Sequence, residues 1–171
     1  FDNTSLKIFA KKGSVIQSVI NATILNGTES SFNITLEPGT YEIIAELTKE
    51  GIGQSICIGI GGDPILGSTF IELLPDLEAD TDTHAIVLVG EIGGSDEERA
   101  AEYIKSYMKK PVVAFISGRT APAGKRMGHA GAIISGKYGT AQSKVKAFKD
   151  ANVPIAETIS DIPKMVMNIM G

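Results

Sequence analysis

Ala85-Ile86-Val87-Leu88-Val89-Gly90-Glu91-Ile92-Gly93-Gly94-Ser95-Asp96-Glu97-Glu98 is the stretch whose reading decides the fold. Its first five residues form an all-apolar run, the mark of a strand covered on both faces. Three glycines around Glu91 then break the run, and Ser95 with Glu98 three positions on reads as a capping box that opens a helix. That helix is expected to end near Lys109-Lys110, where positive charge suits the helix dipole, and Pro111–Ile116 is the next strand. Strand, glycine-rich loop, helix and strand in this order make a βαβ unit.

The same alternation extends in both directions. Thr40–Glu50 places Ile43, Ile44 and Leu47 on one helical face, and Gly51 follows as a stop. A strand is expected at Ser55–Ile60, then the loop Gly61-Gly62-Asp63-Pro64. Thr69-Phe70-Ile71-Glu72 reads as a capping box for a helix to about Leu77. Thr140–Lys149 reads as a helix, Val153–Ala156 as a short strand and Ser160–Met170 as a terminal helix. The fold class is therefore α/β, with a parallel sheet covered on both faces by helices. In such sheets chemistry gathers in loops beyond the carboxyl ends of the strands. Here these are Gly59–Gly67, Gly90–Ser95 and Gly118–Gly139, the glycine-richest stretches of the chain.

Residues 1–39 have another character. Ser5–Lys11, Ser14–Leu25 and Ser31–Leu36 are rich in Val, Ile, Thr and Phe and are punctuated by Lys12-Gly13 and Asn26-Gly27, which is a β-rich pattern with a hairpin signal. Four Asn-X-Ser/Thr sequons, at Asn3, Asn21, Asn26 and Asn33, all fall here. Each matches a glycosylation acceptor motif, but the plainer reading, a set of ordinary turn and strand formers, is preferred.

The chain has 171 residues and a net charge of −4. That length suits one domain with a short appendage, and that charge argues against non-specific binding to nucleic acid or anionic membrane. No apolar run is long enough to span a bilayer, and the start shows no signal-peptide core. Cys57, the single cysteine, has no internal disulfide partner, so a reducing, cytoplasmic setting is expected. It sits between Ile56 and Ile58 as a small buried hydrophobe would. No residue cluster has the spacing of a metal site, and Gly59-Ile60-Gly61-Gly62 is not a dinucleotide fingerprint. His84 reads as a surface residue, and Met165, Met167 and Met170 as packing residues.

Gly124-Lys125-Arg126-Met127-Gly128-His129-Ala130-Gly131-Ala132-Ile133-Ile134 is the sharpest chemical signal. Small neighbours leave the imidazole of His129 open on both sides, and Lys125 with Arg126 could draw in an anion. An imidazole near its unperturbed pKa of about 6.5 is mostly neutral at pH 7, as a nucleophile must be. A loop histidine that caps a turn or faces water fits the same residues equally well. Glu91, on a neighbouring strand end, could hold one ring nitrogen and stabilise a positive ring. An exposed loop glutamate is the plainer alternative.

Gly51-Ile52-Gly53-Gln54-Ser55, Gly59-Ile60-Gly61-Gly62-Asp63-Pro64, Gly90–Gly94, Thr120-Ala121-Pro122, Gly124–Ile134 and Ile159-Ser160-Asp161-Ile162-Pro163 stand in the order and spacing of one family. Together they resemble the ligase domain of succinate–CoA ligase alpha subunits, over residues 40–171. ADP-forming acetyl-CoA synthetases and ATP-citrate lyases share this domain type. The resemblance implies a flavodoxin-like sheet and an acid–thiol ligase of the tricarboxylic acid cycle. It implies that His129 takes a phosphoryl group from nucleotide, that Glu91 orients it, and that Thr40 and Gly128 belong to the phosphate environment. It also implies a beta subunit as partner, with a homo-oligomer possible, and coenzyme A, ATP or GTP and magnesium in the full enzyme.

Two departures stand against that family. Nothing here supplies the family's coenzyme A-binding Rossmann domain. The family's ligase domain also opens on Ser-Arg-Ser-Gly-Thr-Leu-Thr-Tyr-Glu, whereas here Leu36-Glu37-Pro38-Gly39 precedes Thr40-Tyr41-Glu42. A carboxylate at Glu37 would oppose a nearby phosphoryl group by on the order of 1 kcal/mol. The expected organisation is thus a β-rich segment, 1–39, of foreign origin, joined near Gly39-Thr40 to the ligase domain, 40–171. Phe32–Leu36 is the candidate to fill the first-strand position. Three readings follow: a catalytic piece that carries phosphate on His129, a recombined scaffold inert alone, and an adhesion module whose β segment bears sugar.

Overall fold

The computed structural model describes residues 5–12, 15–23, 38–61, 67–119 and 139–171. The Asn26-Gly27 hairpin, the Phe32–Leu36 strand, most of the 61–64 loop, and the run from Thr120 through Gly128 and His129 to Ile134 lie outside them. In chain order the elements are β1 (Ser5–Lys12), β2 (Val15–Thr23), α1 (Pro38–Lys49), β3 (Ile56–Gly59), α2 (Phe70–Ala79) and β4 (Ile86–Glu91). Next come α3 (Asp96–Tyr107), β5 (Val112–Ser117), α4 (Ala141–Asp150), β6 (Ile155–Ala156) and α5 (Ile162–Met170), the last preceded by a 3-10 turn at Ile159–Asp161.

The α/β class and the parallel sheet are as the sequence predicts. Strands β4, β5 and β6 form a parallel sheet in that order. Residues of β5 alternate between two cores, because successive side chains leave opposite faces of a strand. Val112, Ala114 and Ile116 pack with Leu74, Ala100, Ile104 and Phe148 from α2, α3 and α4. Val113 packs on the other face with Ile43, Leu47, Ile162 and Val166 from α1 and α5. Helices therefore cover both faces.

Helix ends follow local chemistry. At the end of α1, Ile52 N–H donates to Leu47 O at 2.9 Å and Gly51 N–H to Thr48 O at 3.0 Å. This is a Schellman stop, with Gly51 at φ 75°. Helix α4 ends the same way through Val153 N–H to Phe148 O and Asn152 N–H to Lys149 O. Asn152 holds the left-handed position there at φ 56°. The predicted box at Thr69 is present, with Thr69 N–H donating to Glu72 Oε2 at 2.8 Å.

Three expectations are corrected. The strand over 55–60 does not join the β4–β5–β6 sheet; β3 pairs in parallel with β1, Lys7 opposite Ile56, in a separate sheet ordered β2-β1-β3. An isolated strand leaves its backbone groups unpaired, and β1 supplies partners from far along the chain, which no local pattern can announce. Second, β4 is not wholly covered: Val89 is 40% exposed, on an edge strand of its sheet. Third, Ser95 caps α3 without a side-chain bond. The carboxylate of Glu98, cast as its box partner, instead accepts from Ser143 Oγ of α4 at 2.7 Å.

Candidate functional site

The carboxyl ends of β4 and β5 define the working edge. Glu91 is the last residue of β4 and stands opposite Ser117 of β5. Its side chain is half-buried, and its own N–H donates to Glu97 Oε1 at 3.0 Å. Gly90 makes this possible, since a Cβ there would meet Glu97 Cγ at 2.5 Å. The helix that begins beyond the loop thus folds a first-turn carboxylate, Glu97, back onto the strand end.

Glu97 is buried and faces an opposite charge. Lys144, on α4, is fully enclosed and donates to Glu97 Oε2, with Gly94 O and Glu98 Oε2 each at 3.4 Å. A buried ammonium needs this many acceptors, because an unpaired charge out of water is costly. Acidic residues Asp96, Glu97 and Glu98 all lie in the first turn of α3, where the dipole favours them.

Helix α4 is fixed to the same edge. Thr140 caps it by accepting from Ser143 N–H at 3.0 Å. One residue earlier, Gly139 O accepts from Gly93 N–H at 2.8 Å, and a Cβ on Gly139 would meet Gly94 O at 2.9 Å. On the other side of the edge, Arg119 follows β5 and reaches Ala156 O at 3.4 Å and Glu157 Oε1 at 3.5 Å. Arg119 and Gly139 are the described residues that flank 120–138. Both stand at the edge that carries Glu91.

Of the residues singled out from sequence, Glu91 is where the strand-end rule puts it. Thr40 lies in the first turn of α1. His129 and Gly128 lie outside the described residues. Sequence reasoning missed Glu97 and Lys144. The signal was there, because each is a charge on an apolar helical stripe: Glu97 with Ala100, Ala101 and Ile104, and Lys144 with Ala141 and Phe148. Cys57 is half-buried rather than buried, and partial burial pushes its thiol up to about 11. A shallow concavity lined by Met108, Val112, Asn152 and Ile169 opens at the amino ends of β5 and β6, on the opposite edge.

A family model described as CoA-ligase matches residues 38–153. The chain belongs to this CoA-ligase family. Its members include relatives that resemble it closely. It is 54% identical over 145 residues to succinate–CoA ligase [ADP-forming] subunit alpha 1 of Archaeoglobus fulgidus, a match that covers 84% of this chain and 50% of the relative. It is 57% identical over 123 residues to the corresponding alpha subunit of Staphylococcus epidermidis, covering 72% of this chain and 41% of that one. The resemblance to succinate–CoA ligase alpha subunits read from the motifs is borne out by these identities. The chain spans about half the length, or less, of these curated relatives. Among solved structures, ATP citrate lyase of Methanosaeta concilii, a D541A mutant in complex with (3S)-citryl-CoA, aligns with a TM-score of 0.69 at 29% identity. That match covers 77% of this chain and 22% of the lyase.

Among the described residues, no helix is long and apolar enough to cross a membrane, and no group of three His, Cys, Asp or Glu could hold a metal ion.

Proposed function

We propose that this CoA-ligase domain carries the phosphohistidine step of a nucleotide-dependent succinate–CoA ligase alpha subunit, with His129 as acceptor and Glu91 as its orienting carboxylate. The step forms a bond between an imidazole nitrogen and the terminal phosphorus of a nucleoside triphosphate, and breaks the bond from that phosphorus to the leaving diphosphate. A carboxylate on the second ring nitrogen keeps the first one nucleophilic and stabilises the ring's positive charge. The phosphoryl group would then pass to succinate, and coenzyme A would displace it as the thioester forms.

The observation that carries this reading is the convergence at one sheet edge. Glu91 ends β4 with its N–H held by the Glu97 carboxylate, and both described flanks of the His129 segment, Arg119 and Gly139, stand at the same sheet edge. A beta subunit as partner, with coenzyme A, magnesium and ATP or GTP, is part of this proposal, supported by the likeness to ADP-forming succinate–CoA ligase alpha subunits. Thr40 and Gly128 are proposed as phosphate neighbours. Pro38 at the start of α1 removes one backbone donor that an anion at this helix end would use.

The second reading is a recombined scaffold that keeps the fold and is inert alone, in which 1–39 is an appended segment and 40–171 the ligase domain. What favours it is that β1 and β2 precede the residues matched by the family model, yet β1 hydrogen-bonds to β3. Incubation with a family beta subunit, magnesium and labelled nucleoside triphosphate separates the two. Acid-labile, base-stable label that disappears in His129→Ala and falls in Glu91→Gln supports the first reading. An unlabelled chain supports the second.

A further inference from the structure

We infer that Lys144 is a positioning residue for the site: through Glu97 it fixes the backbone of Glu91 and joins it to the start of α4. This rests on the proposed role of Glu91.

Three tethers converge on the loop between β4 and α3. Glu97 Oε1 accepts the N–H of Glu91, while Glu97 Oε2 accepts from Lys144. Lys144 also reaches the carbonyl of Gly94. Gly93 N–H donates to Gly139 O, two residues before the helix that bears Lys144. One ammonium therefore ties the strand end, the loop and the first turn of α4 into a single body.

Stability does not explain this arrangement. Two charges taken out of water recover little net free energy from each other, and well-packed apolar replacements for such pairs often fold as well or better. What apolar side chains cannot reproduce is the directed acceptor for Glu91 N–H. The room for it is reserved as well, since Gly90 carries no Cβ where Glu97 lies. Catalytic groups tolerate displacements of only about half an ångström, so a rigid second rank of residues has functional value.

The test compares the full chain with Lys144→Met and with the double variant Glu97→Met plus Lys144→Met. It uses backbone amide exchange by NMR and His129 labelling by a family beta subunit with labelled nucleoside triphosphate. Lys144→Met alone strands the Glu97 charge and should unfold readily. The double variant should fold, with the Leu88 amide protected as in the unmodified chain. Its Glu91 amide should exchange about tenfold faster or more, the loss of one charge-assisted hydrogen bond. Maximal labelling rate should fall by at least a similar factor, with half-saturating triphosphate unchanged.

A structural role alone would return labelling to normal once folding is restored, and that result overturns the proposal. So does an unchanged Glu91 amide. Should the double variant fail to fold, the smaller pair Glu97→Leu plus Lys144→Leu, which equally lacks the acceptor, must show the same ordering of Glu91 over Leu88 exchange. An unmodified chain that takes no label defeats the proposed function, while the exchange comparison still decides the positioning role.

Discussion

The two sheets of this molecule are built by different rules. In β4–β5–β6 each strand pairs with the next in sequence, and β5 is buried between two helical layers. In β2–β1–β3 the four residues of β3 are half-buried or exposed, and its partner strand stands about fifty positions upstream, Lys7 opposite Ile56. The first sheet is a product of local βαβ chemistry, which is why the site edge grows from it. The second depends on a long-range pairing that local sequence does not encode. A site that needs a strand end held to a fraction of an ångström belongs on the first.

The largest expected contrast is in core truncation. Phe148→Ala should cost about 3–5 kcal/mol, because the side chain is fully buried against β5. Ile58→Ala in β3 should cost only about 1–2 kcal/mol, since half-burial reduces the transfer free energy. Urea unfolding of both variants measures the difference, and equal losses would break the contrast between the sheets.

Gly90→Ala comes next. The added methyl would collide with Glu97, so a loss of about 1–3 kcal/mol is expected, together with faster exchange of the Glu91 amide. A neutral substitution would mean that the strand end accommodates movement of Glu97 without consequence.

The smallest effect concerns Cys57, which probes how well β3 is sealed. Its thiol is raised from 9.0 to about 11 by burial, so the folded state favours the protonated form. The stability this contributes is complete below pH 9 and is lost as the pH rises toward 11. Near pH 8 the thiolate fraction should be about a hundredfold below that of an ordinary cysteine, since the two values differ by about two on a logarithmic scale. Alkylation by iodoacetamide at the rate of a free thiol would show that β3 opens freely.

Much of the fold was legible because helix and strand periods are local. Gly51 after the Ile43–Leu47 face marked the end of α1, and Thr69 with Glu72 marked the start of α2. Asn152 was not read as a helix stop, since asparagine takes the left-handed position less often than glycine. The β1–β3 pairing was unreadable, because period-two alternation names a strand's faces and never its neighbour. At the candidate site, Glu91 was singled out from its place after an apolar strand. Glu97 and Lys144 were passed over because each looks solvated when read singly. Only the two stripes taken together show opposite charges facing each other across α3 and α4.

Site-resolved mass spectrometry of the phosphorylated chain tests the central claim most directly. The chain is incubated with a family beta subunit, magnesium and nucleoside triphosphate, then digested under alkaline conditions that spare phosphohistidine. The predicted result is one phosphoryl group on His129, absent from His129→Ala and reduced in Glu91→Gln. A phosphoryl group on another residue, or one that survives in His129→Ala, would contradict it.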